Sequence, residues 1–495
     1  MKPSLTEAEF LELAAAYAVV PVGVEVLGDR ETAVGLFSKL VGDGDGFLLE
    51  SVEGGERWAR WSFVGWEPSF TLETRDGVSS VDRVSVGLAA GDPLTVFEEL
   101  IERLTSPDPV VAGLGKDAPP LHTGAVGYVG YDIVRHIEDL PDRPEDDRGL
   151  PDMLWQFVGA IAAVDRFRDR VMLIRNVFIG EDPAAQYGTA IEALERDVAA
   201  IGAPVAYEVR EDPAFDHPVE SLANMSRDDY EKAVERAVEY INAGDAFQVV
   251  PSLRFDVMYD GDAFAVYRAL RLVNPSPFMF FVRSGSLAIA GSSPELMSRV
   301  RDGLVFSRPI AGTRPRGADP AEDARLEAEL LADPKERAEH VMLVDLSRND
   351  LGRVCEYGTV SVDELMVVER YSHVMHIVSG ISGVLREGVG PVDVLRATFP
   401  HGTVSGAPKV RAMEIIDELE PMARGPYAGA VGYVDFSGNL DTAIALRTMV
   451  AEGSTAWIQA GAGVVSDSVP AREYEECVDK AAAVLAAIDA ARRIS

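Results

Sequence analysis

Cysteine is scarce in this chain, whose 495 residues include only Cys355 and Cys477. Two cysteines cannot build the disulfide framework of a small secreted domain, and so few of them fit a reducing compartment. No apolar run approaches the roughly 20 residues that a membrane-spanning helix needs. The first residues, 1–7, lack the basic start and apolar run of an export signal. We therefore expect a globular protein of the cytoplasm.

Basic residues are also few, since Lys and Arg total 46 against 81 Asp and Glu, for a formal net charge of −35. A field of that sign repels nucleic acid and anionic membrane surfaces, so neither is an expected partner. Most of these acids serve solubility. An anionic substrate would also be repelled, so its site would need a local positive group such as a metal ion or a buried arginine.

Hydrophobic residues are abundant, at 47% of the chain, which is enough for a large core. The length favours two to four domains. Hydrophobic periodicity and turn residues predict local elements along the chain. These are strands at 47–49 and 171–174, helices at 184–201 and after the capping residue Ser226, loops near 105–122 and 137–152, and a domain boundary near 205–225.

A glycine-rich hexapeptide, Gly-Ala-Val-Gly-Tyr-Val, occurs at 124–129 and again at 429–434. Six residues do not establish a repeat, but they predict two similar strands whose glycines allow close backbone approach. From 226 to about 490, strands with short glycine turns alternate with helices. This pattern predicts an α+β fold, with large, mainly antiparallel sheets flanked by helices.

Four glutamates form two equally spaced pairs near predicted helix starts. Asp333 as N-cap and Pro334 at the first helical position begin one helix, where residues three apart share a face. The pairs are Glu336 with Glu339 and Glu473 with Glu476. Glu336 also suits a capping box, and either pair alone suits an acidic surface. Together they suggest that the four carboxylates converge on a Mg²⁺ ion, which prefers a few carboxylates plus water and substrate oxygens.

Polar residues in glycine-rich stretches are further candidates. Glycine exposes backbone N–H groups that can bind anions, although each stretch alone suits an ordinary tight turn. The stretches are 309–317, 402–409 and 459–463. Arg447 is predicted to end a strand over 441–447 beside the small residues Ala443 and Ala445, which leaves room for a planar anion. His376 lies in an apolar strand-like run, where a histidine is usually a core residue.

These stretches, in this order and spacing, resemble the chorismate-utilising enzymes, and among them the large subunits that form anthranilate. The resemblance covers nearly the whole chain and is strongest from 226 to 485. It rests on the motifs PIAGTRPRG, DPKERAEHVMLVDLSRNDLGRV, YSHVMHIVSG, GTVSGAPK and GAGVVSDS. The resemblance implies the family's α+β fold, with a regulatory region at 1–215 and a catalytic region at 226–488 interleaved in one compact unit.

The resemblance also implies roles for individual residues. Glu339 and Glu476 would bind Mg²⁺, which would hold the ring carboxylate of chorismate. Glu336 and Glu473 would position water or protonate the departing hydroxyl, His376 would assist pyruvate elimination, and Thr403 is a further catalytic residue. The remaining chorismate contacts would be Gly312, Thr313, Tyr427, Arg447, Gly461, Ala462, Gly463 and Lys480. Arg447 would hold the enolpyruvyl carboxylate, because its planar fork suits two oxygens.

One position bears on the nucleophile. Relatives that use water carry lysine at the third residue of the PIxGT stretch, and relatives that form aminodeoxychorismate often do so as well. This chain has Ala311, which neither activates water nor attacks, so alanine suits direct attack by ammonia. Anthranilate formation is therefore favoured over aminodeoxychorismate or aminodeoxyisochorismate synthesis, and over a non-catalytic tryptophan-binding relative, which would lack metal carboxylates.

Neither cysteine has the sharp glycine-flanked turn of a glutaminase nucleophile. We therefore expect a separate glutamine amidotransferase subunit, in a hetero-oligomer such as a heterotetramer, with free ammonium as a substitute. The family's tryptophan-inhibitor pocket would be lined by Leu49, Glu50, Ser51, Pro277, Phe278 and Met279. Three residues depart from the family pattern. Trp61 and Phe278 replace a common tyrosine, which would weaken or reshape inhibition, and His401 replaces a common alanine beside the substrate pocket.

Overall fold

The computed structural model describes residues 2–51, 60–84, 87–204, 219–371 and 374–494. Twelve α-helices are present in these ranges, and a 3-10 turn covers Tyr131–His136. The helices are α1 (Glu7–Ala14), α2 (Ala33–Leu40), α3 (Pro93–Arg103), α4 (Pro183–Ile201), α5 (Arg227–Ala243), α6 (Ala263–Val273), α7 (Pro320–Ala332), α8 (Pro334–Gly352), α9 (Pro391–Thr398), α10 (Gly402–Ser405), α11 (Lys409–Leu419) and α12 (Pro470–Ile494). None of them is long and apolar enough to cross a membrane.

The same ranges contain 24 strands. In chain order they are β1 (Val19–Leu27), β2 (Gly46–Glu50), β3 (Trp61–Trp66), β4 (Phe70–Arg75), β5 (Val78–Val81), β6 (Ala125–Val129), β7 (Met153–Phe157), β8 (Ala160–Asp165), β9 (Arg170–Phe178), β10 (Leu222–Ala223), β11 (Gln248–Val249), β12 (Ser252–Met258), β13 (Phe278–Ser284), β14 (Leu287–Ser293), β15 (Leu296–Arg301), β16 (Leu304–Ser307), β17 (Ile310–Pro315), β18 (Ser361–Arg370), β19 (Val374–Val384), β20 (Gly406–Ala407), β21 (Ala430–Val434), β22 (Leu440–Ile444), β23 (Thr448–Glu452) and β24 (Thr455–Gly461).

Two antiparallel sheets of 11 strands each organise the molecule. The first has the order β1-β9-β8-β3-β2-β13-β14-β23-β24-β12-β10. The second has the order β17-β19-β16-β15-β22-β21-β6-β7-β4-β5, with β18 added on β19. Each sheet contains strands from both the first and the second half of the chain. The predicted α+β fold with large antiparallel sheets is therefore confirmed.

The two copies of the hexapeptide are neighbours in the second sheet. Strands β6 and β21 pair antiparallel with Gly127 opposite Gly432. A Cβ atom on Gly127 would lie 1.9 Å from the carbonyl oxygen of Leu154, and one on Gly432 would lie 2.0 Å from that of Asp441. The glycines therefore allow close backbone approach on the outer side of each strand, as the sequence predicted.

Alternating residues on the strands divide the core into layers. Phe281 of β13 packs in a cluster beneath α2 and α6, whereas its neighbour Phe280 packs against residues of the second sheet such as Val431 and Tyr433. A third cluster lies under α3 and α9 on the other face of the second sheet. The architecture is two sheets packed face to face, with helices on the outer faces.

Local predictions are largely confirmed in the described ranges. The strands at 47–49 and 171–174 lie in β2 and β9, and the helix predicted at 184–201 is α4. Ser226 caps α5, since its Oγ accepts a hydrogen bond from the N–H of Asp229 at 3.2 Å. Most of the predicted boundary at 205–225 lies outside the described residues. In its described part, residues 222–223 form β10.

Candidate functional site

Helix α8 begins as its sequence predicts and carries the first glutamate pair. The Asp333 carboxylate accepts hydrogen bonds from the N–H groups of Lys335 at 3.0 Å and Glu336 at 3.4 Å. The Glu336 carboxylate pairs with Arg314 Nη1 at 3.0 Å, so an ion pair takes the place of the capping box that the residue could have formed. Glu336 thereby faces β17, and its Oε2 lies 3.2 Å from where a Cβ of Gly312 would be.

Glu339 lies on the same face of α8 and is largely buried. Gln248 Nε2 donates a hydrogen bond to Glu339 Oε1 at 3.2 Å. Burial raises the pKa of Glu339, and the negative charges of Glu336 and Glu476 raise it further. A carboxylate held among other carboxylates in this way is stabilised by a nearby cation.

Helix α12 carries the second pair, Glu473 and Glu476. Burial raises the pKa of Glu473, and the charge of Glu476 adds to the effect. Lys480 bridges Glu476, at 2.6 Å, and the carbonyl oxygen of Gly461, at 2.9 Å. In the described part of the chain, no three acidic, histidine or cysteine side chains group as a ready metal site. The two helices therefore offer carboxylates that act on one another, with a lysine between α12 and β24.

His376 lies on β19, paired with β17, as its apolar surroundings predicted. Its Nδ1 lies 3.2 Å from the carbonyl oxygen of Gly312 and 3.0 Å from Thr313 Oγ1. A carbonyl only accepts, so Nδ1 carries the proton and Nε2 carries the lone pair. Burial lowers the pKa of His376 to about 4, and the positive charge of Arg447 contributes. At neutral pH this imidazole is an uncharged base.

Arg447 corrects one expectation from the sequence. Strand β22 ends at Ile444, so Arg447 lies beyond it and not within a strand over 441–447. It adopts the left-handed backbone conformation, with φ of 49°, which is uncommon for a residue with a side chain. Burial lowers the pKa of its guanidinium, opposed by the charge of Glu295. The turn therefore directs a largely desolvated cation toward Glu295 and His376.

Glu295 was missed by the sequence analysis. Its side chain is 2% exposed, and its Oε1 accepts hydrogen bonds from Thr403 Oγ1 at 2.8 Å and from the N–H of Ile310 at 3.4 Å. Burial raises its pKa to about 8, against the opposing effects of Thr403, Ile310, Arg447 and Lys480. The available signal was the polar break Ser292-Ser293-Pro294-Glu295 between two apolar strands. The hydrogen bonds at Oε1 are those of the carboxylate, and burial favours the carboxylic acid form of Glu295 as pH falls below about 8.

The remaining predicted substrate contacts lie around the end of β24. Cβ atoms on Gly461 and Gly463 would lie 2.9 Å from Tyr427 Oη and 2.7 Å from Gln248 Nε2, respectively. At Gly461 a Cβ atom would also meet the carbonyl oxygen of Pro251 at 2.9 Å, so glycine is needed there for packing, whereas at Gly463 the end of the Gln248 side chain would have to move. The N–H of Ala462 already donates to the carbonyl oxygen of Pro251 at 3.2 Å. Gln248, also missed by the sequence analysis, joins this glycine segment to Glu339.

We call Glu295, Glu339, His376, Thr403, Arg447 and Glu476 the candidate cluster. The charge of Arg447 acts on the pKa values of both Glu295 and His376. The charge of Lys480 acts on the pKa values of Glu295 and Glu339, and the charge of Glu476 acts on the pKa of Glu339. Six elements far apart in sequence supply these side chains. Chemically, the cluster offers an acid, a base, the cation Arg447 and carboxylates for a divalent cation, with Lys480 as a second cation beside it.

A second site lies between the two sheets. A cavity of about 260 Å³ is lined by all six residues predicted for the inhibitor pocket, together with Trp61, Phe63 and Tyr433. We call this cavity the aromatic pocket. Its charged lining residues are Glu50, Arg60, Arg299, Arg301 and Asp441. Glu50 accepts hydrogen bonds from Arg166 at 2.7 Å and Tyr267 at 2.8 Å and also pairs with Arg271.

The solved structure of anthranilate synthase component I from Streptococcus pneumoniae TIGR4 is similar over 93% of this chain and 98% of its own, with a TM-score of 0.77 and 34% identity. The menaquinone-specific isochorismate synthase MenF from Escherichia coli shares the fold, with a TM-score of 0.71 at 19% identity over 97% of this chain and 98% of its own. The second enzyme supports the architecture alone.

Curated proteins are similar over almost their full length. Anthranilate synthase component 1 from Acetivibrio thermocellus is 43% identical, covering 99% of each chain. The protein of the same name from Pseudomonas aeruginosa is 46% identical over 97% of this chain and 98% of its own. The family model for chorismate binding enzymes matches residues 47–486. With its two antiparallel sheets and candidate cluster, the chain belongs to the chorismate binding enzyme family.

Proposed function

We propose that this protein converts chorismate and ammonia to anthranilate and pyruvate, the first committed step of tryptophan biosynthesis. Full-length similarity to proteins named anthranilate synthase component 1, at 43% and 46% identity, supports this choice within the family. The main structural support for this proposal is that one buried cation, Arg447, lies near both an acid and a base. The pKa of the acid, Glu295, is raised to about 8, and the pKa of the base, His376, is lowered to about 4. The proposed reaction first protonates the leaving hydroxyl and then removes a proton from C2, so it needs an acid and a base with shifted pKa values.

Ammonia is favoured over water or an enzyme amine as the nucleophile. Ala311 lies on β17 next to Gly312 and is 8% exposed, so it lines the interior close to His376. Its methyl group neither activates water nor forms a covalent bond with the ring. Neutral ammonia attacks C2 without such help. Aminodeoxychorismate and aminodeoxyisochorismate synthesis are the alternatives, and the neutral base at His376 favours continued reaction to anthranilate over release of the aminated intermediate.

Glu339 and Glu476 would bind a Mg²⁺ ion. Mg²⁺ is commonly held by one or two carboxylates, with water and substrate oxygens completing its shell, so the two glutamates fit without a third protein ligand. The raised pKa of Glu339 beside Glu336 and Glu476 reflects repulsion that a cation would relieve. When bound, the ion would neutralise the ring carboxylate of chorismate. Lys480, now paired with Glu476, would turn toward the substrate.

Glu295 supplies the first proton in this proposal. As ammonia forms the C2–N bond and the ring double bonds shift, the C4–O bond breaks, and Glu295 protonates the hydroxyl so that it leaves as water. Glu336 and Glu473 were the sequence-based candidates for this donor. Glu336 pairs with Arg314 at 3.0 Å, whereas burial raises the pKa of Glu295 to about 8, which favours a proton donor near neutral pH.

His376 removes the second proton in this proposal. Its basic Nε2 takes the proton from C2 of the aminated intermediate, the C3–O bond breaks, and the ring becomes aromatic. The departing enolate takes a proton at its methylene carbon, returned from Nε2, and is released as pyruvate. The carbonyl oxygen of Gly312 holds Nδ1 in the required tautomer. Arg447 would bind the enolpyruvyl carboxylate through two of its guanidinium nitrogens, in a bidentate pair.

Ammonia would come from glutamine through a separate amidotransferase subunit. The relatives' name, component 1, implies a second component. Both cysteines of this chain are buried, and burial raises the pKa of Cys355 and raises that of Cys477 to about 12. A glutaminase needs a reactive thiolate, so neither thiol is a suitable nucleophile.

The aromatic pocket would bind tryptophan as a feedback inhibitor. Its volume, its mixed aromatic and apolar wall and its charged side at Glu50 suit a small aromatic amino acid. Pro277, Phe278 and Met279 lie at the start of β13, whose partner strand β14 leads directly to Glu295. Binding in the pocket would therefore be coupled to the position of Glu295 through the β13–β14 hairpin.

The test uses the purified chain with chorismate, Mg²⁺ and ammonium. We expect fluorescent anthranilate and pyruvate in equal amounts, no product after chelation of the metal, and inhibition by added tryptophan. Aminated intermediate without pyruvate would identify an aminodeoxyisochorismate synthase. Binding of tryptophan without any turnover would identify a non-catalytic relative.

A further inference from the structure

His401 is a buried histidine next to the candidate cluster that the proposed reaction does not yet use. It is the N-cap residue of α10 and is 4% exposed. Its Nδ1 lies 3.1 Å from Thr403 Oγ1, 3.4 Å from the N–H of Thr403 and 3.6 Å from Glu295 Oε1. Thr403 Oγ1 lies 2.8 Å from the same Glu295 oxygen. The three side chains therefore form a continuous chain of polar atoms.

The ring of His401 is neutral, with Nδ1 as its acceptor. The Thr403 N–H donates to Nδ1, so the ring proton is on Nε2. Burial lowers the pKa of His401 to about 3, and the charge of Lys409 adds to the effect. The contact between His401 and Glu295 is therefore not an ion pair. The charged groups that act on Glu295 itself are Arg447 and Lys480, and both favour its carboxylate form.

The hydroxyl of Thr403 has one proton and two acceptors within reach. When Glu295 is a carboxylate, the hydroxyl donates to it. When Glu295 is protonated, its O–H donates to Thr403 Oγ1, and the hydroxyl proton needs another acceptor. Nδ1 of His401 is that acceptor, at 3.1 Å. The Thr403 hydroxyl proton then has an acceptor in both states of the acid.

We propose that His401 is a positioning residue that stabilises the protonated, proton-donating form of Glu295 by accepting the hydrogen bond of Thr403. As Glu295 gives its proton to the leaving hydroxyl, the Thr403 hydroxyl rotates from His401 to the new carboxylate. His401 touches neither substrate nor metal in this role. The inference rests on the proposed function of Glu295.

The test is the pH dependence of kcat with free-base ammonia held constant. The fall in kcat at high pH reports loss of the protonated acid. In His401→Ala it should move to lower pH by about one unit, the effect of losing one hydrogen bond to that form. His401→Gly gives a second measurement, because glycine is a better N-cap than alanine and preserves the start of α10. His401→Asn restores an acceptor oxygen and should return the high-pH limb toward that of the wild type.

Two results would overturn the inference, and they differ in what they imply. If Glu295→Gln abolishes turnover but the high-pH limb is unchanged in both His401→Ala and His401→Gly, then His401 only fills space. If Glu295→Gln retains full activity, then Glu295 is not the proton donor, and the proposed mechanism fails together with the role of His401. A lower kcat with an unmoved limb would count against the inference even if KM for chorismate changed.

Discussion

The candidate cluster and the aromatic pocket differ in how their charged side chains are paired. In the aromatic pocket, Glu50 is surrounded by Arg166, Arg271 and Tyr267, and Asp441 pairs with Arg299 at 2.7 Å, so both acidic lining residues are already neutralised. In the candidate cluster, no carboxylate of the described chain lies within ion-pair distance of Arg447, and burial displaces the pKa values of Glu295 and His376 in opposite directions. Within the described residues Arg447 is thus left without an ion-pair partner, whereas Glu476 is paired with Lys480 at 2.6 Å and the carboxylate of Glu50 is neutralised in advance.

The largest effect should come from the carboxylates that would hold the metal. Glu339→Gln or Glu476→Gln should lower kcat about 10³-fold, because each removes charge that stabilises a bound cation and its substrate. The measurement is anthranilate fluorescence across a range of Mg²⁺ concentrations. Glu475→Gln, on the same helix but exposed and paired with Arg227, is the matched control and should keep near-normal activity. Activity independent of Mg²⁺ would contradict the assignment.

Glu295→Gln should lower kcat by about 10²- to 10⁴-fold, the usual range for a general acid. In the wild type, the protonated form is lost as pH rises through about 8, so kcat should fall above that pH at constant free ammonia. Glutamine has the same shape but donates no proton, so the residual rate of the variant should not fall at that pH. A retained fall would assign the titration to another group.

His376→Asn should separate the two chemical steps. Without the base, the aminated intermediate should accumulate, and anthranilate formation should fall about 10²- to 10⁴-fold. In the wild type the neutral base is present above a pKa of about 4 and is lost as pH falls through that value. Chromatography of the products is the measurement, and His136→Asn is the control. An unchanged ratio of intermediate to anthranilate would reject the role of His376.

Glu50→Gln tests whether the aromatic pocket depends on the ion pairs of Glu50 with Arg166 and Arg271. Arg166 and Arg271 would lose a charged partner, so the free energy of unfolding should fall by about 1–3 kcal/mol and tryptophan inhibition should weaken. Thermal or urea unfolding measures the first effect. Glu25→Gln, an exposed partner of Arg170, should change stability by less than about 0.5 kcal/mol. Catalysis without tryptophan should be nearly unchanged in both variants.

The smallest effect concerns Phe278, where the family commonly has tyrosine. Phe278→Tyr adds a hydroxyl to the aromatic pocket, and one new hydrogen bond to the inhibitor is worth about 0.5–1.5 kcal/mol. Tryptophan should therefore inhibit about 2- to 10-fold more strongly, with kcat unchanged. Phe167→Tyr, at an exposed site, is the control. Equal inhibition of the two variants would place Phe278 away from the bound inhibitor.

Elements whose signals are local could be predicted from the amino-acid sequence alone. Asp333 and Pro334 begin α8, so the spacing of Glu336 and Glu339 on one face followed from a few neighbouring residues. The hexapeptide strands were likewise readable from a short motif, whereas the six predicted residues of the aromatic pocket followed only from the family resemblance. For α8 and the hexapeptide strands, the relevant contacts lie within one turn or on adjacent strands of known pattern.

Which distant groups lie in contact depends on the packing of the whole fold and could not be predicted from local patterns. Glu295 and Thr403 are 108 residues apart, and nothing near either residue indicates the other. Arg447 was assigned to a strand because its apolar run continues past Ile444, whereas the turn into β23 requires a left-handed backbone there. Periodicity describes which face of an element is buried, but desolvation and charge at a site depend on the packing of every surrounding element, and these set the pKa values of the acid and the base.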